Sequence, residues 1–414
     1  MSKSDVEVVV IGGGAAGIAA AKRLRQASIV CLLVEARPRL GGRAWTVTGG
    51  AGYALDLGCG WLHSADRNPW AAVALQQGAI IDKTPPPWTR QAVALGFTPE
   101  QQSEFRVAMG RLFARVEEAA PRENDMAASA LLDPGGRWNG LINAMSTYIA
   151  GVELDRLSVK DFDRYEDSGV NWRVVEGFGT LISGYGGDLP VELDCEVRGI
   201  DHGGKRLRIE TSKGEIAANR AIVTVPSSIL AAERIQFTPE LPQKVEAARG
   251  LPLGLDDKLF MSLDRADEFD KDVRLFGHTD RTATAGYHIR PFGRPMIEAY
   301  FGGKCAADLE AQGEAAFFDF AVAELTGVLG NDFAARIKPI RVHRWGHDPF
   351  ALGSYSCALP GFADSRGVLA EPVDDRLFFA GEACSRHDFS TAHGGFNTGV
   401  AAADAIIAAC RAQT

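Results

Sequence analysis

Apolar and polar positions follow two different rhythms along this chain, and the points where one gives way to the other suggest how it is divided. Val6-Glu7-Val8-Val9-Val10-Ile11 is a short β-branched run, the pattern of a parallel strand buried on both faces. Gly12 to Gly17 follows as a turn, Ile18 to Gln26 as an alanine-rich helix, and Ser28 to Val34 as a second β-branched strand closed by Glu35. The N-terminal stretch therefore predicts a βαβ unit. From about Asn68 to Asn171 the rhythm becomes helical. Segments such as Pro99 to Ala119 and Trp138 to Ala150 alternate with the breaks Pro85-Pro86-Pro87 and Pro134-Gly135-Gly136. Short strands return at Glu192 to Ile200, Arg206 to Thr211 and Arg220 to Val225. Strands and helices mix from Leu259 to about Pro360. Leu377 to Ala380 is a last apolar strand, before a helix from Gly394 to Arg411. The predicted fold class is α/β, with two interleaved domains each assembled from separated segments.

Composition narrows the class. A chain of 414 residues suggests two or three domains. Its 46% hydrophobic and 23% charged residues exclude disorder, coiled coil and collagen. A net charge of −9 without a basic run argues against nucleic acid and anionic membrane partners. The seven cysteines are scattered, with no CxxC pair or Cys/His cluster, so neither a disulfide framework nor a metal site is expected. The apolar start, Val6 to Ala21, is broken by Gly12-Gly13-Gly14 and lacks the basic flank of a signal peptide. No stretch reaches the ~18 uninterrupted apolar residues of a membrane span. Free thiols and these absences lead us to expect a cytoplasmic protein.

The candidate chemistry begins at Gly12-x-Gly14-x-x-Gly17, set between the first strand and the helix, with Glu35 at the end of the next strand. The first glycine permits the tight turn, the second lets the backbone approach a pyrophosphate, and the third lets helix and strand pack closely. The helix N-terminus stabilises phosphate charge, and Glu35 accepts hydrogen bonds from a ribose. Two glycines and an arginine follow at Gly41-Gly42-Arg43, where Arg43 offers a second phosphate contact or belongs to a solvated basic loop.

With further motifs in view, the sequence resembles the flavin-containing amine oxidases, the group of monoamine oxidases, polyamine oxidases and lysine-specific histone demethylases. The resemblance runs nearly end to end. It passes through GGGAAG (12–17), LVEARPRLGGR (33–43), DLGCGWLH (56–63), LSVKDFD (157–163), EGFGTL (176–181), AIVTVP (221–226) and LPLGLDDK (251–258). It ends with RWGHDPFALGSYS (344–356) and FFAGEACSRHDFSTAHGGFNTG (379–399), and is closest in motifs to the polyamine oxidase branch. It implies a Rossmann-like FAD-binding domain from residues 1–75, 176–255 and 361–414, interleaved with an α+β substrate-binding domain from 76–175 and 256–360. Gly12, Gly14, Gly17, Glu35, Arg37, Gly42 and Arg43 match positions that hold the ADP part of FAD. Gly58 and Trp61 match the stretch passing the flavin, Val197 the strand beside adenine, and Gly381 and Glu382 the segment beside the ribityl and pyrophosphate. Lys258 matches the lysine that holds a water at flavin N5. Trp345 and Tyr355 match aromatics of the substrate pocket, and His63 a histidine typical of the polyamine oxidase branch.

Three departures shape the expectation. Ser354 stands where monoamine oxidases attach flavin to a cysteine, and Cys357 lies three residues on, so FAD is expected to be non-covalent. Thr391 or Ala392 stands where the second cage aromatic usually falls, which leaves the cage one-sided. The chain ends at Thr414 without an apolar anchor, which disfavours a membrane-bound form. The expected activity is FAD-dependent oxidation of a di- or polyamine, or another bulky amine, by hydride transfer to flavin N5. Imine hydrolysis and reoxidation by O2 to H2O2 follow, in a monomer or homodimer. One rival is an L-amino-acid oxidase, which needs a pocket arginine; Arg173, Arg290 and Arg294 are candidates. Another is a non-catalytic flavin-binding redox or interaction module. An NAD dehydrogenase is opposed by Gly41-Gly42-Arg43 and by the FAGEA motif. The acidic stretch from Asp155 to Asp167 reads as a solvated helix face.

Overall fold

The computed structural model describes residues 6–50 and 52–411. Strand β1 (Val6–Ile11) is almost wholly buried and feeds helix α1 (Ala15–Gln26), which returns the chain to β2 (Cys31–Val34) alongside β1. The helix starts at Ala15, before the apolar run that marks it in the sequence, because Gly14 is extended and serves as its N-cap without a side chain. After a short helix at Pro69–Gln76, the helical part holds α2 (Pro99–Ala119), α3 (Asn139–Ala150) and the short α4 (Val159–Arg164). Helix α2 opens on Pro99 behind a reciprocal Thr98–Gln101 capping box, which satisfies two of its free N–H groups. Phe105, Leu112 and Val116 recur on its buried face and pack with Trp138 and Leu141.

The run predicted as one strand from Glu192 to Ile200 is two. Strand β3 (Val191–Glu192) pairs with β2, and β4 (Val197–Asp201) joins the other side of the same sheet. Between them Asp194 takes φ +49, and the N–H groups of Asp194 and Cys195 bond the carbonyls of Arg37 and Glu35. The segment is thereby held against the end of β2 instead of extending. Strands β5 (Leu207–Thr211) and β6 (Gly214–Val223) form a hairpin, and β7 (Gln236–Thr238) pairs with β4. Strand β6 starts six residues before the predicted Arg220 because its first half, Gly214 to Ala218, is paired across the hairpin.

A second sheet, all antiparallel, is built from β8 (Asp256–Leu263), β9 (Val273–Phe276), β10 (Gly286–Ile289), β11 (Met296–Gly302) and β12 (Ile337–Val342). Its order is β9-β10-β11-β8-β12. Period-two alternation sends Leu259, Met261, Leu275, Ile289, Ile297, Ala299 and Phe301 into a core shared with helices Gly303–Gln312 and Glu314–Leu329. The other face carries Asp256, Lys258, Tyr300 and Arg274 towards a cavity.

The chain then re-enters the first sheet as β13 (Leu377–Phe379), parallel to β6, and closes with α5 (Ala392–Arg411). The order across that sheet is β7-β4-β5-β6-β1-β2-β3, with β13 also on β6. Helix α5 lies against α1 at a separation that only small residues allow: a Cβ on Gly399 would stand 2.1 Å from the carbonyl oxygen of Ala16. Ala20, Ala21, Ala402, Ala403 and Ile406 fill the seam between them. No helix among the described residues is long and apolar enough to cross a membrane.

Candidate active site

One cavity of about 1250 Å³ runs from the carboxyl ends of β1 and β2 to the cavity-facing side of the second sheet. That exceeds the ~300–1,000 Å³ of an ordinary small-molecule pocket and has room for a dinucleotide together with a substrate. Gly12, Gly14, Glu35, Arg37, Gly42, Arg43, Gly58, Val197, Gly381 and Glu382 line one part; Trp61, His63, Lys258, Trp345, Tyr355 and Thr391 line the rest. Gly17 does not line it. A Cβ there would stand 1.9 Å from the Gly12 carbonyl oxygen, so that glycine serves the close contact of turn and helix.

The dinucleotide end fits FAD. A Cβ on Gly14 would meet nothing nearer than 4.0 Å, and one on Gly381 nothing within 4 Å, so both glycines leave open the channel beside them. The N-terminus of α1 begins at Ala15 with no side-chain cap, as an N-terminus that receives a phosphate requires. Glu35 is 6% exposed, and its carboxylate accepts from the Gly13 N–H at 2.6 Å and the Arg37 N–H at 2.8 Å. Burial pushes its carboxyl up, against the pull of those two N–H groups. Gly58 has to be glycine for a separate reason: its Cβ would lie 1.8 Å from the Arg43 carbonyl oxygen and 3.0 Å from the Trp345 ring.

Two of the predicted phosphate-side cations hold protein groups here. Arg37 makes a two-point ion pair with Asp348, at 2.9 and 2.5 Å, which His343 also contacts at 3.1 Å. Arg43 donates to the Ser354 carbonyl at 3.0 Å and to Glu382 at 2.8 Å. The Glu382 carboxylate also accepts from Ser356 Oγ at 2.6 Å and the Ser390 N–H at 2.9 Å. Burial acts to raise its carboxyl, and Arg43 and Ser356 outweigh that to hold it below the ordinary range.

At the other end, β8 presents Lys258. Its Nζ lies 3.1 Å from Glu298 Oε1 and donates to the Asp56 carbonyl at 3.1 Å. Burial acts to lower the ammonium, but Glu298, Asp56 and Asp256 outweigh it and raise its pKa, so the lysine is charged. Glu298 answers in kind: burial opposes its charge, yet Lys258 and His288 hold it at about 2. Trp345 is 1% exposed and fixed at both ends, its Nε1 on the Leu57 carbonyl at 2.9 Å and its N–H on Asp257 at 3.0 Å. Tyr355 donates its hydroxyl to the Tyr148 carbonyl at 2.7 Å. His63 Nδ1 lies 2.7 Å from Asn171 Oδ1, which fixes Nδ1 as donor and leaves Nε2 the acceptor. Burial lowers its pKa despite Asp167, so the ring is neutral.

Some expectations are corrected. The acidic stretch is not a solvated helix face: its helical part is only α4, and Asp161 is buried in an ion pair with Arg366, at 2.7 Å. That arginine also bonds Ser356 and packs over Phe389 at 3.7 Å, tying α4 to the segment that carries Glu382. The three arginines proposed for a substrate carboxylate do not line the cavity. Arg173 is held by Asp82 and Asp272, Arg290 by the Phe269 carbonyl, and Arg294 by the carbonyls of Ala54 and Val175. Thr391 faces the cavity but is engaged as a cap, donating to the Asp388 carbonyl and accepting from the Gly394 N–H. Its helix accordingly starts at Ala392, ahead of the predicted Gly394.

Other residues in the cavity were not read from the sequence. Trp88, from the Pro85-Pro86-Pro87 break, stacks edge-on against Trp61 at 4.4 Å. Asp256 lines the cavity two residues before Lys258 on the same strand face, and its Oδ1 is buried without a hydrogen-bond partner. Burial pushes its carboxyl up to about 8, against the pull of Lys258. Arg274 lines the cavity from β9. An acid two positions before a lysine on an alternating strand was the available signal for Asp256; nothing local singled out Arg274.

Residues 15–84 and 101–407 of this chain match the model of the family described as flavin containing amine oxidoreductase. Polyamine oxidase 4 of Oryza sativa subsp. japonica is 29% identical over 97% of this chain and 88% of its own length. Probable polyamine oxidase 4 of Arabidopsis thaliana is 31% identical, over 95% and 86%. Lysine-specific histone demethylase 1 homolog 3 of Oryza sativa subsp. indica is 29% identical over 95% of this chain but 53% of itself. A dinucleotide channel that fits FAD, opening beside a charged lysine and fixed aromatic rings, agrees with these matches: the chain belongs to the flavin-containing amine oxidoreductases, FAD-dependent enzymes that oxidise amines.

Proposed function

We propose that this chain oxidises an extended di- or polyamine, or a similar secondary or primary amine, with O2 as the final acceptor and H2O2 as a product. The observation that carries the reading is the cavity itself, in which Lys258, Trp345 and Tyr355 surround the space next to the FAD channel. Near-full-length similarity to polyamine oxidases supports the substrate class. FAD, when bound, supplies the two-electron acceptor for the hydride that leaves the carbon next to the amine nitrogen.

The residues of the chain prepare that transfer. The amine must be neutral to give up a hydride, and a buried aromatic slot lowers the pKa of an ammonium. Asp256, one oxygen of which has no partner, keeps its own proton up to about pH 8 and above that takes the proton the substrate nitrogen loses. Trp345 and Tyr355, each pinned through its polar end, hold the alkyl part in place without rotamer freedom to lose. His63 offers Nε2 to an N–H of the substrate. Lys258 has three donors, two of them used by Glu298 and the Asp56 carbonyl; the third positions the water that hydrolyses the imine. The test is oxygen uptake and peroxide release with spermine, spermidine, putrescine and simple alkylamines. Turnover with at least one extended amine, lost on Lys258→Met in protein that retains flavin, is the expected result. Retained turnover in that variant would remove Lys258 from the mechanism, and flavin-loaded protein inert to all of them would overturn the proposal.

A further inference from the structure

On the cavity face of the second sheet, Lys258, Glu298, His288 and Arg274 accompany Asp256. Lys258 and Glu298 pair with each other, and His288 pairs with Asp272 at 3.0 Å. Arg274 stands apart. Among the described residues no carboxylate lies within ion-pair distance of it. Its one side-chain hydrogen bond runs from Nη2 to the thioether sulfur of Met145 at 2.9 Å, and its guanidinium lies over the Phe276 ring at 4.3 Å. Burial lowers its pKa only to about 10, so it is a cation at neutral pH. A guanidinium has five donors, and a thioether is a weak acceptor. Arg274 is half-buried, and a cation partly withdrawn from water without an anion is costly unless something supplies one.

The strand register says how far this cation is from the chemistry. Arg274 pairs with His288, His288 with Glu298, and Glu298 with Phe260 on β8. Three strand spacings, about 14 Å at the backbone, therefore separate Arg274 from the strand of Asp256 and Lys258. Trp88, Met109, Met145 and Phe113, all apolar, line the cavity as well. The carboxylate of an α-amino acid sits one carbon from the nitrogen and does not reach across that span. A pure polyamine has no group to give Arg274 and would meet it as a like charge.

We propose that Arg274 is a carboxylate-binding subsite, and that the amine oxidised here carries a carboxylate at the far end of an apolar chain. The inference rests on the amine-oxidation reading above and narrows its substrate: the nitrogen lies by Asp256 and Lys258, the methylenes lie along the apolar walls, and the carboxylate pairs with the guanidinium fork.

The test compares ω-amino acids, n-alkylamines and α,ω-diamines matched at about eight to twelve carbons, lengths that suit the ~14 Å span. The readout is the rate of anaerobic flavin bleaching in the holoenzyme. Expected is an advantage of about tenfold to a hundredfold for the ω-amino acid over the alkylamine, the worth of one charge-assisted contact. In Arg274→Gln that ratio falls to near one. A saturated fatty-acid anion of the same length has no amine to oxidise and gives a second readout: its calorimetric Kd rises about tenfold in the variant. If the variant does not fold, the wild-type ranking alone decides. Diamines or alkylamines bleaching the flavin as well as the ω-amino acids would overturn the subsite and leave amine oxidation standing. No bleaching by any amine, spermine included, would overturn both.

Discussion

Asp256 and Lys258 are two residues apart on one strand face, and burial treats them in opposite ways. Lys258 has Glu298 and the Asp56 carbonyl to hold its charge, whereas Asp256 has an oxygen with no partner. The carboxyl of Asp256 therefore rises to about 8, while in an unfolded chain it titrates near 3.9. Between about pH 4 and pH 8 the native state keeps a proton that the unfolded state has lost, so this group makes stability fall as pH rises across that window. Lys258, Glu298, Asp257, Tyr300, Tyr355 and Tyr148 are the ionisable groups that feel it. Asp256→Asn removes the penalty. Its gain in Tm over wild type should grow from about pH 5 to about pH 8 and level off above, as thermal unfolding of the holoenzyme across a pH series would show. Parallel Tm curves for the two proteins would mean that Asp256 titrates normally.

Within elements, the two glycines at the start of α1 make a sharper distinction than the motif itself. Gly14 sits at φ −83, a conformation any residue adopts, and has open space where a side chain would go. Gly17 has the Gly12 carbonyl oxygen in that place. Gly14→Val should therefore yield folded but colourless protein, with the Kd for FAD raised at least about a hundredfold, nearly 3 kcal/mol. Gly17→Val should yield little folded protein. Circular dichroism and flavin titration separate the two, and a flavin-replete Gly14→Val protein would contradict the placement of the cofactor. Both outcomes were implicit in the sequence because β1, α1 and β2 are neighbours in the chain and their spacing carries the geometry. The split of Glu192–Ile200 into two strands was not, since it depends on backbone bonds from Asp194 and Cys195 to Arg37 and Glu35, well over a hundred residues earlier. Arg274 was hidden for a related reason. On its strand it is an ordinary arginine, and only the register through His288 and Glu298 shows that it shares a sheet face with Lys258.

For the whole molecule, chain segments far apart in sequence meet at one cavity: Glu35 and Arg43 from the first βαβ unit, Lys258 from the second sheet, Trp345 and Tyr355 from beyond it, and Glu382 from the return to the first sheet. Arg37 on Asp348, Arg43 on Glu382 and Arg366 on Asp161 join these segments across the cavity walls with charge pairs that are largely out of water. The sequence showed the dinucleotide end through local spacing and the aromatic end through resemblance. It did not show which charges the fold leaves uncompensated, because that depends on the partners each side chain finds. An enzyme assembled this way should pass electrons from an amine to its flavin before oxygen takes part. The direct measurement is the visible flavin band of the purified holoenzyme, followed anaerobically as spermine, spermidine, alkylamines and ω-amino acids are added in turn. Bleaching by at least one amine is the predicted result. A band that no amine bleaches, in protein whose flavin dithionite still reduces, would contradict it.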